Sequence, residues 1–128
     1  VTKAPEDIQR IVWAVLREGM DNCILLEPEP LQEVKKLLRD GQKASASVRS
    51  LLRDYAKDVF VAPVDPDCRF YADALYFMLP EVMEGGVLRQ MYVKFSVVPD
   101  DDESLSDLRV IRFHKSTGWA SITRFPRR

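Results

Sequence analysis

Gln90-Met91-Tyr92-Val93-Lys94-Phe95-Ser96-Val97 decides how this chain folds, because its apolar and polar side chains alternate along the whole stretch. A period of two is the signature of a strand with one buried face. Met91, Val93, Phe95 and Val97 point one way, and Gln90, Tyr92, Lys94 and Ser96 the other. Leu108 to His114 reads as a second strand, burying Ile111 and Phe113 and showing Arg112 and His114. Trp119 to Phe125 is expected as a third, with Gly118 in the turn before it. Gly85-Gly86 opens this half, and the acidic stretch Asp100 to Asp107 joins the first two strands.

Upstream, the period changes to that of a helix. Ile8, Ile11, Val12, Val15 and Leu16 form one stripe, with Pro5 suited to its first position and Gly19 to its stop. Cys23 to Leu26 is a short apolar run, closed by the Pro28-Glu29-Pro30 punctuation. A second helix carries Leu31, Val34, Leu37 and Leu38 and ends at Gly41. Ser45 or Ser47 is expected to cap a third, with Val48, Leu51, Leu52, Tyr55 and Ala56 on its inner face. Val59 to Val64 suits a strand weakened by Pro63. After Asp65-Pro66, the residues Phe70, Tyr71, Ala74, Leu75, Met78 and Leu79 fit one face of a helix, although their aromatic content also permits a strand. The expected architecture is a single α+β domain over residues 1–128, with N-terminal helices packed on one face of an antiparallel β-sheet.

Composition narrows the class of protein. The chain has 128 residues, 46% apolar and 30% charged, as expected of a folded domain with its own core. Nineteen Lys and Arg against twenty Asp and Glu leave a net charge of -1, which argues against a uniformly basic nucleic-acid coat but not against a local basic site. No apolar run is long enough for a membrane span, so no membrane partner is expected. Cys23 and Cys68 stand far apart without neighbouring ligands, which suits free thiols in a reducing, cytoplasmic setting. The start at Val1 instead of Met fits a processed chain or a piece of a longer one.

The two best strands bring chemistry together. Register follows the apolar face, so Tyr92, Lys94, Arg112 and His114 fall on one exposed side of the hairpin. A phenol, an ammonium, a guanidinium and the only histidine suit metal-free cleavage of RNA. That reaction needs a base for the ribose 2′-hydroxyl, an acid for the leaving oxygen and cations for the phosphate. Histidine is the side chain that carries protons near neutral pH. These four are the candidate catalytic residues, with no cofactor and no metal. Lys115, Arg109 and Arg124, in the basic last segment, are candidates for RNA binding; a solvated terminus would look the same. The Asp100-Asp101-Asp102-Glu103 run lacks the glycine and alternating ligands of a calcium loop and reads as a solvated connection. Arg109 and His114 match the Arg-x4-His spacing of the HEPN ribonucleases, but that motif belongs on a helix and this segment alternates as a strand.

With these residues in view, the chain resembles the MqsR-type toxins, ribonucleases of RelE-like fold from bacterial toxin–antitoxin pairs. Leu31-Gln32-Glu33-Val34-Lys35-Lys36-Leu37-Leu38-Arg39-Asp40-Gly41-Gln42 is similar to an early family helix. Met91 to Val97 is similar to its Tyr-apolar-Lys strand, and Val110 to Ser116 to its final strand. The resemblance implies a metal-independent endoribonuclease acting on mRNA and a cognate antitoxin or immunity protein that neutralises it. Tyr92 then matches an active-site tyrosine, Lys94 lies in the strand motif, and His114 falls where the family places a basic residue. The chain departs from the pattern between Arg69 and Pro80, where the family's further lysine and glutamine have no counterpart. It departs also in its long acidic loop and slightly acidic charge, which leave room for tRNA as substrate or for a toxic domain of a larger secreted protein. Two other functions fit the same residues: a non-enzymatic protein-binding module, and an RNA-binding domain in which Tyr92, Arg112 and Trp119 clamp bases.

Overall fold

A computed structural model describes residues 1–63, 74–99 and 105–127. Helix α1 (Glu6–Glu18) begins after Pro5 at the cap position, with Glu6 and Asp7 in its first turn and Arg17 in its last, each sign matching the helix dipole. It stops at Gly19 for a steric reason. The glycine backbone is extended, and a Cβ there would stand 2.5 Å from the Val15 carbonyl oxygen. Strand β1 (Ile24–Leu26) follows a single 3-10 turn.

Helix α2 (Pro28–Lys35) starts on the residues expected to punctuate the chain. Proline is accommodated in a first turn because the amide it lacks has no intrahelical partner there. The α-helix also ends before Gly41. Leu37 and Leu38 donate their amides three residues back, to Val34 and Lys35, and tighten the last turn. Helix α3 (Ala44–Tyr55) has no side-chain cap. Ser45 instead donates its hydroxyl to the Ile24 carbonyl at 3.0 Å, and Ser47 is buried.

The remaining strands are β2 (Phe60–Val61), β3 (Leu75–Met78), β4 (Glu81–Glu84), β5 (Val87–Val98) and β6 (Asp107–Lys115). Leu75 and Met78, expected on a helix, therefore lie on a strand antiparallel to β5, while Phe70 and Tyr71 fall outside the described residues. Strand β4 pairs with the start of β5 through Gly85 and Gly86, whose φ values of 54° and 81° suit a tight two-residue hairpin. The sheet runs β1-β6-β5-β3-β2, with β4 off that path beside β5. It is mixed, not purely antiparallel, because β1 runs parallel to β6 from Ile24↔Leu108 to Leu26↔Val110. The N-terminal segment lies along the edge at β2, where Lys3 bridges Phe60.

The three α-helices among the described residues bury their stripes on one face of this sheet, which makes the fold α+β. Val12, Val15 and Leu16, then Val34, then Val48, Leu51 and Leu52 join Met91, Val93, Phe95, Leu108, Val110 and Phe113 in one core. Trp119 to Phe125 is not a strand. It makes one bridge, Ala120 to Arg89, and then crosses in irregular conformation to seat Ile122 and Phe125 in that core. No helix among the described residues is long and apolar enough to cross a membrane. The Cys23 thiol is free and half-buried, and Cys68 and the acidic run 100–103 fall outside the described residues.

Candidate functional site on the outer face of the sheet

The β5–β6 register brings the four candidate catalytic residues together. Tyr92 stands opposite His114, and Lys94 opposite Arg112. Between these pairs and the next the register slips: Phe95 pairs with Val110, leaving Ile111 as the extra residue of a bulge. Ile111 was expected beside Phe113 in the main core. The bulge turns it to the other face, where it is buried with Ala62, Leu75 and Phe77. The face opposite the helices thus carries Arg109, Ile111, Arg112 and His114 together.

That face has an apolar floor. Phe60, Phe77, Tyr92 and His114, from four adjacent strands, stack as a ladder with centroid spacings of 5.3, 4.8 and 5.0 Å. The rings lie within 29°, 25° and 14° of parallel. Tyr92 is therefore sandwiched, with Phe77 on one side and His114 on the other. Lys94 was expected to be exposed but is only 4% accessible. It is buried on the sheet face, opposite Arg112 in the β5–β6 register.

His114 is exposed, and its Nδ1 lies 2.9 Å from the Lys115 carbonyl oxygen. A carbonyl can only accept, so in this contact Nδ1 carries the hydrogen, and neutral His114 keeps its lone pair on Nε2. The ring is thus oriented as a base whose reactive nitrogen is not the one tied to the backbone.

The cations are moderated by carboxylates that the sequence did not bring to notice. Arg109 Nε lies 3.5 Å from Glu27, and Arg112 Nη1 lies 3.8 Å from Glu29. Both glutamates sit where β1 passes into α2, next to β6. Arg112 Nη1 also donates to the Ile111 carbonyl at 2.8 Å. Solvent-exposed pairs of this kind are weak and screened, and the Arg109–Glu27 pair leaves that guanidinium open to competition from another anion.

Lys115 and Arg124 are not part of this constellation. Lys115 stands opposite Met91, a core-face residue, at the end of β6. Arg124 reaches the other way and donates to the Lys36 carbonyl at 3.1 Å, at the end of α2. Trp119 makes no ring contact with Tyr92 or His114 among the described residues. A cleft of about 650 Å³ lies apart from all of them, between the α2–α3 connection and the C-terminal segment. It mixes Arg39, Lys43 and Arg49 with Asp21, Asp40 and Asp54 and holds none of the candidate residues. Among the described residues, no three His, Cys, Asp or Glu side chains cluster to hold a metal ion.

Phe60 and Phe77 were missed as parts of the site because a cross-strand stack depends on register, which sequence alternation alone does not provide. Glu27 and Glu29 carried no signal beside two prolines. Comparison with models of known families, with curated proteins and with solved structures finds no match to this chain.

Proposed function

We propose that this protein is a metal-independent endoribonuclease of RelE-like fold, acting as a toxin in the cytoplasm and neutralised by a cognate antitoxin or immunity protein. The observation that carries the reading is the stacked Tyr92–His114 pair, with the imidazole Nδ1 tied to the Lys115 carbonyl and Arg112 on the same face. In the proposed reaction His114 Nε2 takes the proton of a ribose 2′-hydroxyl. The 2′-oxygen then attacks the adjacent phosphorus, the bond to the 5′-oxygen breaks, and the Tyr92 hydroxyl protonates that leaving oxygen. The proton on the imidazole returns to the tyrosinate through solvent. The products are a 2′,3′-cyclic phosphate and a free 5′-hydroxyl. Arg112 binds the phosphate as negative charge builds on it, and the buried Lys94 adds positive charge without touching substrate.

Induced expression in bacteria, with total RNA examined soon after induction, tests this. Growth arrest with fragments ending in 2′,3′-cyclic phosphate is expected, and His114→Ala or Tyr92→Phe is expected to relieve it while the protein stays folded. Full toxicity in both variants would mean the site is elsewhere. Normal growth with intact RNA from verified soluble protein would replace this reading with that of a protein-binding module.

A further inference from the structure

The geometry points to a second role for His114: its outward face is a stacking platform for one unpaired nucleobase of the bound strand. The inference rests on the RNA-cleaving reading and adds to it the part of the substrate the site grips. Base stacking would ordinarily be assigned to Tyr92, but both faces of that ring are covered, by Phe77 at 4.8 Å and by His114 at 5.0 Å. Phe77 is itself buried between Phe60 and Tyr92. Of the ladder's two end rings, Phe60 is half-buried and His114 is exposed, and the second face of His114 meets no other ring among the described residues. That end also lies at an open part of the sheet. Strand β1 accompanies β6 only as far as Val110, so no described strand flanks His114 on its outer side.

A flat base placed there would continue a series of rings already spaced at about 5 Å. Every base has a π face, so the platform is tolerant of sequence and favours large purines through area alone. Arg112, two residues away on the same face and 36% exposed, supplies a cation for the phosphate attached to such a base. Stacking uses the face of the imidazole and proton transfer uses its edge at Nε2, so the two roles do not compete.

The chain has a single histidine, so its imidazole protons form one unambiguous pair of signals. The probes are a 2′-O-methyl adenylate decamer, which cannot be cleaved, and an abasic decamer with the same backbone. The adenylate decamer is expected to move both His114 carbon-bound proton signals upfield through the ring current of the stacked base, and the abasic decamer is not. His114→Phe is expected to keep adenylate-decamer affinity within about twofold, whereas His114→Ala loses about fivefold to a hundredfold, the range for one base–aromatic stack. Equal affinity for the two decamers with unmoved signals, or an unchanged affinity in His114→Ala, overturns the inference. An all-ribose adenylate decamer separates the two readings. Its cleavage without any ring-current shift from the 2′-O-methyl decamer would remove the platform and leave the nuclease. The shift without cleavage would remove the nuclease and leave the platform.

Discussion

Ile111 and Arg112 are neighbours in the chain and lie on the same side of the sheet, because the β-bulge between the Lys94↔Arg112 and Phe95↔Val110 pairs leaves Ile111 unpaired. Regular alternation would send consecutive residues to opposite faces. The bulge instead lets one strand supply both a plug for the outer face and the cations around it.

Ile111 is 1% exposed and lies in one cluster with Leu75 and Phe77, on the face that carries the aromatic ladder. Ile111→Ala is therefore expected to cost about 2–5 kcal/mol of stability, as for a buried large-to-small change. A urea unfolding curve measures this. A midpoint within error of wild type would mean the bulge residue is not packed as described.

Lys94 is expected to matter through charge and not through contact. Its 4% exposure keeps it from a bound phosphate, but it stands directly opposite Arg112. Lys94→Met keeps most of the side-chain volume and removes the charge. On the proposed RNA substrate, kcat is expected to fall at least about tenfold, which corresponds to about 1.4 kcal/mol of transition-state stabilisation, with KM nearly unchanged. A folded Lys94→Met protein of full kcat would make Lys94 a purely structural residue.

Glu29 lies 3.8 Å from Arg112 Nη1 and is 77% exposed. Such a pair is worth little to the fold, yet it competes with any phosphate for the same guanidinium. Glu29→Gln is expected to tighten binding of the 2′-O-methyl adenylate decamer by up to about fivefold, with the gain shrinking as salt is raised. An unchanged or weaker affinity would place the phosphate away from Arg112.

Several features of this fold were legible because they depend on local period. The stripe Val12, Val15 and Leu16 and the alternation through Met91, Val93 and Phe95 report burial directly, and both sets meet in the core. The Tyr92–His114 and Lys94–Arg112 pairings follow from the same alternation once β5 and β6 are set side by side. What was not legible depends on tertiary partners. Alternation places Lys94 on the face away from the helices but does not say that this face is also covered. It cannot register a bulge, so Ile111 was assigned to the wrong side. Leu75 to Met78 carries apolar residues at spacings that suit a helix or a strand, and pairing with β5 selects the strand. Trp119 to Phe125 reads as a strand from its apolar residues, and the Arg residues around it suit RNA binding or a solvated terminus alike; neither pattern says that Ile122 and Phe125 are core without strand pairing.

Those two residues make the C-terminal segment a part of the fold. Phe125 is 1% exposed, and its ring lies 6.0 Å from that of Phe113 on β6. Its amide donates to the Leu37 carbonyl at 3.1 Å, and its own carbonyl accepts from Arg39 Nε at 2.7 Å. Ile122 sits in the same core. This segment closes the domain across the end of α2, with side chain and backbone both engaged. Phe125→Ala is expected to destabilise the protein by about 3–5 kcal/mol, the cost of emptying a buried aromatic site. Arg127→Ala, two residues on and exposed, is expected to stay within about 0.5 kcal/mol of wild type. Thermal or urea unfolding of the two variants side by side makes the comparison. A small loss in Phe125→Ala would show that the tail can leave the core without unfolding the sheet, and the last segment would then be a detachable arm.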